Sequence, residues 1–416
     1  MGTCREDSSE QKIARPQRHI SVGILTAEKV EFILNGSYSC EGSTAEGSLT
    51  AILADGKVEC GGHTAKRLVF EACNEDCFFT LKDVTIGVNF HWERRENQSF
   101  KGNLVLLAEN DGIIVINDVG IEDYLTCVIS SEMSAEAPLE FLKAHAVISR
   151  SWLLAQIDGK AKTTGQGKID TPKELVTWQD HEDHEFFDVC ADDHCQRYQG
   201  ITKVSTAKAR EAIEATWGEV LAYEGEICDA RFSKCCGGRT EVFSTCWEDV
   251  EVPYLKSFKD KFCHTEDAAL LARILPNFDQ ETKDFYEWKV EYTYAELSQI
   301  VRERTGLYFG KIVDLRPIER GPSGRIKKLK IVGSRKSRII GKELEIRRTL
   351  SRSHLYSSAF EVEKTPEGFV LHGKGWGHGV GLCQIGAAVM GHLGYLYKDI
   401  LLYYYRGADI VKEDSL

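Results

Sequence analysis

What the chain lacks narrows its function first. No stretch approaches the roughly eighteen consecutive apolar residues of a membrane-crossing helix, so no membrane span is expected. Positive charge is in deficit, 52 Lys and Arg against 64 Asp and Glu for a net of −12, which argues against a nucleic-acid partner held by long-range attraction. Regular cysteine spacing is also missing: the 14 cysteines form no disulfide framework that the pattern alone reveals. Neither a GxGxxG frame nor a GxxxxGK[ST] loop occurs in the right setting, which removes the common nucleotide-binding signatures. The first ten residues, Met1-Gly-Thr-Cys-Arg-Glu-Asp-Ser-Ser-Glu, contain no apolar h-region, so no export signal is read in the sequence as given. Internal repeats and low-complexity segments are absent too.

What is present reads as an ordinary globular chain of 416 residues, 42% hydrophobic. From Ile20 to about Leu107, short β-branched or aromatic runs are broken by Gly, Asn and Asp and predict strands. Asn35-Gly36 predicts a hairpin turn. Pro138 is suited to the first position of a helix running from Leu139 to about Gln156. The expected class is α+β: a β-rich N-terminal region, a mixed α/β catalytic core and a smaller inserted lobe. The predicted organisation is a flexible N-terminus at 1–19, the β-rich region at 20–120 and a first core segment at 121–260, with a candidate metal loop at 181–195. The inserted lobe follows at 261–350, and a second core segment with the glycine strip at 351–416.

Three patterns carry chemistry. In His372-Gly-Lys-Gly-Trp376-Gly-His378-Gly-Val-Gly381 glycine recurs at every second position. If extended, such a strip presents bare backbone on one face and an indole, imidazoles and an ammonium on the other, which suits a sugar-binding floor. A tight turn that spaces two strands is the plainer reading. The segment His181-Glu-Asp-His184-Glu-Phe-Phe-Asp-Val-Cys190-Ala-Asp-Asp-His194-Cys195 gathers thiols and imidazoles in one loop, which is metal-ligand chemistry. Lys143 and Arg150, seven residues apart, share a side of the predicted helix and could face one cleft, or form a solvated pair on its surface.

The run Ile121-Glu-Asp-Tyr-Leu-Thr-Cys-Val-Ile-Ser-Ser-Glu132-Met-Ser-Ala-Glu-Ala-Pro-Leu-Glu-Phe-Leu-Lys-Ala-His-Ala-Val-Ile-Ser-Arg150-Ser-Trp resembles the signature of the stage II sporulation protein D (SpoIID/LytB) family. Gly375-Trp-Gly-His-Gly-Val-Gly-Leu-Cys-Gln384-Ile-Gly-Ala resembles its C-terminal signature, continuing to Ile400-Leu-Leu-Tyr-Tyr-Tyr-Arg-Gly. Phe232-Ser-Lys-Cys-Cys-Gly-Gly-Arg-Thr240-Glu and Pro253-Tyr-Leu-Lys-Ser match two further landmarks in the family's order. The likeness extends over roughly 85–416. Two departures are visible: Ser131-Glu-Met-Ser replaces the more common Ala/Gly-Glu-Met-Pro, and His145 stands where the family usually has Gln.

The resemblance implies a peptidoglycan lytic transglycosylase that cuts denuded, stem-peptide-free glycan strands to 1,6-anhydro-muramyl products outside the cytoplasm. Its catalytic acid falls on Glu132. One carboxyl suffices for such chemistry, because the sugar's own C6 hydroxyl attacks C1 in place of a positioned water. Lys143, Arg150, Thr240, Tyr254 and Lys256 resemble residues around the family's cleft, and Trp376, His378 and Gln384 are expected to meet substrate or Glu132. His184, Cys190 and Cys195 match candidate ligands of one structural zinc ion, with His194, Cys236 or water as the fourth. The implied partners are glycan strands and a cell-wall amidase. The alternatives are a non-catalytic glycan-binding enhancer of that amidase, a two-carboxylate hydrolase pairing Glu132 with Glu136 or Glu140, and a zinc amidase.

Overall fold

The computed structural model describes residues 17–87, 93–110, 112–159, 167–178, 184–204, 206–276, 279–281 and 285–416. Most of the expected flexible N-terminus, and His181 of the candidate metal loop, lie outside the described residues. The fold is α+β and rich in strands, as expected.

Ten strands between His19 and Gly120 join the short strand Val189–Cys190 in an 11-stranded sheet. Alternation explains them: in Phe78–Ile86 the residues Phe79, Leu81, Val84 and Ile86 are buried, the phase stepping once at a bulge after Leu81. Tight turns fall at Glu41-Gly42 (φ 48° and 76°), Asp55-Gly56 (φ 48° and 71°) and Gly61-Gly62 (φ 59° and 84°), each left-handed at both residues as two-residue hairpins require. Asn35-Gly36 is not a hairpin. It lies inside the strand Lys29–Cys40, where pairing with Ser43–Ala54 shifts between Leu34 and Tyr38 and Gly36 takes φ 101°. A Cβ on Gly36 would stand 2.7 Å from the Cys77 sulfur, so the glycine serves a bulge against a close neighbour.

The buried strand Gly112–Gly120 runs directly into helix α1, Ile121–Glu132. Its hydroxyls need partners inside the core, and Thr126, Ser130 and Ser131 each donate to the carbonyl four residues back. Helix α2, Leu139–Ile157, begins one residue after Pro138 and is buried along almost its whole length against α1, the strand Glu219–Tyr223 and the helices Gln384–His392 and Tyr397–Tyr404. Truncating a fully buried side chain such as Leu142 to Ala should cost about 2–5 kcal/mol.

A second core runs from Trp288 to Leu371. It is built from a five-stranded sheet, a three-stranded sheet and the helices Tyr294–Thr305 and Glu343–Thr349. The five-stranded sheet takes in Gly167–Asp170 and Glu174–Trp178 from far upstream. Phe262, Leu270 and Ile274 pack instead with the main core, so the segment predicted as one lobe divides between two cores.

Candidate active site

Glu132 is the last residue of α1, and Met133 leaves the helix in extended conformation. The carboxylate is half-buried at the floor of a cleft of about 460 Å³. Its Oε1 accepts the backbone N–H of Arg197 at 2.9 Å, and its Oε2 accepts the side-chain amide of Gln384 at 3.3 Å. Gln384 opens the helix Gln384–His392, is itself buried, and also donates to Nε2 of His145 at 3.0 Å. This donation assigns the His145 ring proton to Nδ1, facing Ser149 Oγ at 3.1 Å. Burial, with Lys234 nearby, pushes the His145 pKa down to about 3, so the relay Ser149–His145–Gln384–Glu132 is neutral up to the carboxylate.

Lys234 donates to the Glu132 carbonyl at 2.8 Å and forms an ion pair with Asp279 at 2.7 Å. Arg197 pairs with Asp193 at 2.8 Å. On the walls, Arg231 lies 4.4 Å from the Trp247 ring centroid, and Trp376 packs against Phe285 and Tyr356. His378 lines the cleft with Nδ1 accepting the Val380 N–H, and burial together with Arg231, Arg325 and Arg347 holds its pKa well below the ordinary range. Burial and the adjacent Asp193 push the Asp192 carboxyl up to about 6.

The cleft therefore brings together Glu132, Trp376, His378 and Gln384, and it does not bring in the other predicted binding residues. Arg150 is fully buried and binds Glu122 through Nε (2.9 Å) and Nη2 (2.5 Å). Lys143 pairs with Glu140 at 2.6 Å. Thr240 is buried and donates to the Lys256 carbonyl at 2.9 Å, Tyr254 accepts the Asp229 N–H at 2.9 Å, and the Lys256 side chain is exposed outside the cleft lining. Glu136 and Glu140, candidate second carboxylates, pair with Lys208 and Lys143 and do not line the cleft.

The glycine strip is extended only over its first residues. The strand Gly368–Lys374 carries His372, which pairs outside the cleft with Glu363. Beyond it Gly375, Gly377, Gly379 and Gly381 all have φ between 72° and 86°, so the chain coils, alternating left-handed glycine with ordinary residues. The reason is Arg325, a fully buried side chain that donates to the Gly377 carbonyl through Nε (3.1 Å) and Nη2 (2.9 Å) and to the Cys236 carbonyl at 3.1 Å. A Cβ on Gly379 would meet that guanidinium at 2.5 Å.

Sequence reasoning passes over Arg197, Lys234, Asp279 and Arg325. Lys234 sits inside the Phe232-Ser-Lys-Cys-Cys landmark and is within its reach; the other three carry no local pattern. The donor atoms of His184, Cys190, His194 and Cys195 lie within 4.8 Å of one another, so this group could hold a metal ion, and His194 completes the set. Cys236 belongs elsewhere, against Asp260. The candidate metal loop is held by the sheet: Val189–Cys190 pairs parallel to Val22–Gly23, and Gly23 leaves room for the Phe187 ring, which a Cβ would meet at 2.4 Å.

These features define a β-rich α+β protein in which Glu132 is hydrogen-bonded at the floor of a cleft beside a candidate metal-binding loop. The chain belongs to the stage II sporulation protein D (SpoIID/LytB) family. Residues 109–223 match the family described as Stage II sporulation protein, and 241–381 match a Domain of unknown function (DUF8618). An uncharacterized protein of Brachyspira hyodysenteriae is 30% identical over 316 residues, 75% of this chain and 72% of that protein. Stage II sporulation protein D of Bacillus subtilis is 26% identical over 304 residues, 72% and 77% of the two chains. The Amidase enhancer of the same organism is 26% identical over 313 residues, 68% of this chain and 39% of the relative. No helix among the described residues is long and apolar enough to cross a membrane.

Proposed function

We propose that the protein is a peptidoglycan lytic transglycosylase acting on denuded glycan strands, with Glu132 as general acid and then base. The observation that carries this reading is Glu132 itself, a half-buried carboxylate whose two oxygens are fixed by neutral donors and which opens onto a cleft walled by indoles and guanidiniums. Glu132 protonates the glycosidic oxygen as the bond to C1 breaks. The C6 hydroxyl of the same sugar then attacks C1 and returns its proton to Glu132, leaving a 1,6-anhydro end. Trp376, half-buried on the cleft wall, offers apolar surface for a pyranose ring. Arg231, Arg347 and Arg348 line the same cleft and suit the lactyl carboxylates that denuded muramyl units expose.

His184, Cys190, His194 and Cys195 form a Cys₂His₂ donor set that fits one structural zinc ion. Bound there, zinc would fix the loop that leads into Arg197, whose N–H orients Glu132. The proton chemistry rests on Glu132, Gln384 and His145 alone.

A second reading is a non-catalytic enhancer of a cell-wall amidase, favoured by the name of the Amidase enhancer relative. Mass spectrometry of purified denuded strands incubated with wild type and with Glu132→Gln separates the two. Anhydro-muramyl ends from the wild type and none from the variant are expected. Strands bound but uncut by both proteins would overturn the enzyme reading in favour of the enhancer.

A further inference from the structure

Behind the cleft lies a second cluster of donors that the proposed reaction does not use. Cys236, Asp260, Cys263 and Cys383 are all buried, and their ligand atoms lie within 4.8 Å of one another. The Cys235 thiol is alongside, within hydrogen-bonding reach of Cys263 and Cys383. A tetrahedral zinc site with bonds of about 2.3 Å has donor–donor edges of roughly 3.8 Å, a short inward movement from this arrangement.

Cys236 Sγ faces Asp260 Oδ2 at 3.4 Å, and backbone N–H groups converge on the other two sulfurs. The Gly238 N–H points at Cys263 Sγ (2.9 Å), and the N–H groups of Cys236 and Gly386 point at Cys383 Sγ (3.4 Å each). Tyr404 donates to Asp260 Oδ2 at 2.9 Å, orienting the carboxylate as an outer-shell partner does around a metal ligand. Gly386 is required for this closeness, since a Cβ there would meet Tyr404 Oη at 2.3 Å and Asp260 Oδ2 at 2.7 Å. Cys263 also lines a surface cavity of about 340 Å³ with His264 and Ile385, which gives an ion a way in.

We infer that Cys236, Cys263, Cys383 and Asp260 form a second metal centre that takes a thiophilic divalent cation, zinc by its donor chemistry, distinct from the His184–Cys195 loop. The ion ties together three chain segments. Cys236 follows Lys234, which holds the Glu132 carbonyl; Cys383 caps the helix that begins with Gln384, which holds the Glu132 carboxylate; and Cys263 anchors the loop between them. The centre is a positioning device for the cleft floor, and its existence does not depend on which reaction the cleft performs.

The test uses the full chain, reduced, incubated with zinc chloride and desalted. A His184→Ala, Cys190→Ser, Cys195→Ser variant empties the first site and is expected to retain one zinc per chain. Zinc should raise its unfolding midpoint by several degrees and protect Cys236, Cys263 and Cys383 from alkylation. Adding Cys263→Ser should abolish both the retained metal and the shift. No retained zinc in the first-site variant, or disulfides among these cysteines in its peptide map, would overturn the inference. Should that variant not fold, the wild type titrated with cobalt(II) decides the matter: two steps of sulfur-to-cobalt absorption support a second centre and one step overturns it.

Discussion

Helix α1 carries a glutamate near each end, and the two could hardly be held more differently. Glu122, in the first turn, is sealed between α1 and α2 with both oxygens on the guanidinium of Arg150. Glu132, in the last turn, is held by a backbone N–H and a side-chain amide and keeps an edge on the cleft. The same residue type on the same helix is thus a structural clamp at one end and a cleft-lining carboxylate at the other.

Substitutions can break this contrast. Glu132→Gln should slow formation of anhydro ends by about 10²- to 10⁴-fold while leaving the unfolding midpoint near the wild-type value, as product counting and calorimetry would report. Arg150→Ala should do the reverse. It strands Glu122 and should cost about 3–5 kcal/mol in a denaturant titration, with activity per folded molecule kept.

His145→Gln sharpens the comparison through pH. Because the folded-state pKa of His145 is depressed from 6.5 to about 3, the unfolded chain takes up a proton first as pH falls. Stability should therefore be full above about pH 6.5 and decline towards pH 3 by up to about 1.4 kcal/mol per unit from this group. The variant, which keeps a hydrogen-bonding partner for Gln384, should show a shallower slope by that amount in denaturation curves taken across the window.

Gln384→Ala removes one neutral donor from Glu132 and should lower the cleavage rate by up to about tenfold. Lys143→Ala, at a half-buried pair with Glu140, should change stability by about 1 kcal/mol and leave cleavage unchanged. A large loss of cleavage there would show that the cleft reaches further along α2 than the present geometry places it.

The α+β class, the helix after Pro138 and the place of Glu132 at the end of the helix before it are legible in the sequence because they rest on local pattern and one long motif. Helical spacing puts Lys143 and Arg150 on a common face correctly in angle, but α2 is buried on nearly all sides, so angle alone cannot tell which neighbour a residue meets. The glycine strip misleads because extended and left-handed backbones are equally open to glycine, and the choice is made by Arg325, some fifty residues upstream. Arg197 reaches the cleft from a loop and Asp279 from a three-residue 3-10 turn, Asp279–Glu281, both too short or irregular to carry a periodicity. The buried thiol cluster is invisible for a related reason: its members come from three separate segments, and only the packed chain brings them together.

Arg325 also decides what kind of object the smaller lobe is. It stands at the edge of that lobe, yet every hydrogen bond of its guanidinium to a backbone carbonyl goes to the glycine coil or to Cys236. The lobe is therefore not a passenger that could be excised or exchanged between relatives by grafting at its boundaries. Removing it would withdraw the peg on which the cleft wall is hung, and a minimal fragment that preserves the cleft would have to keep it.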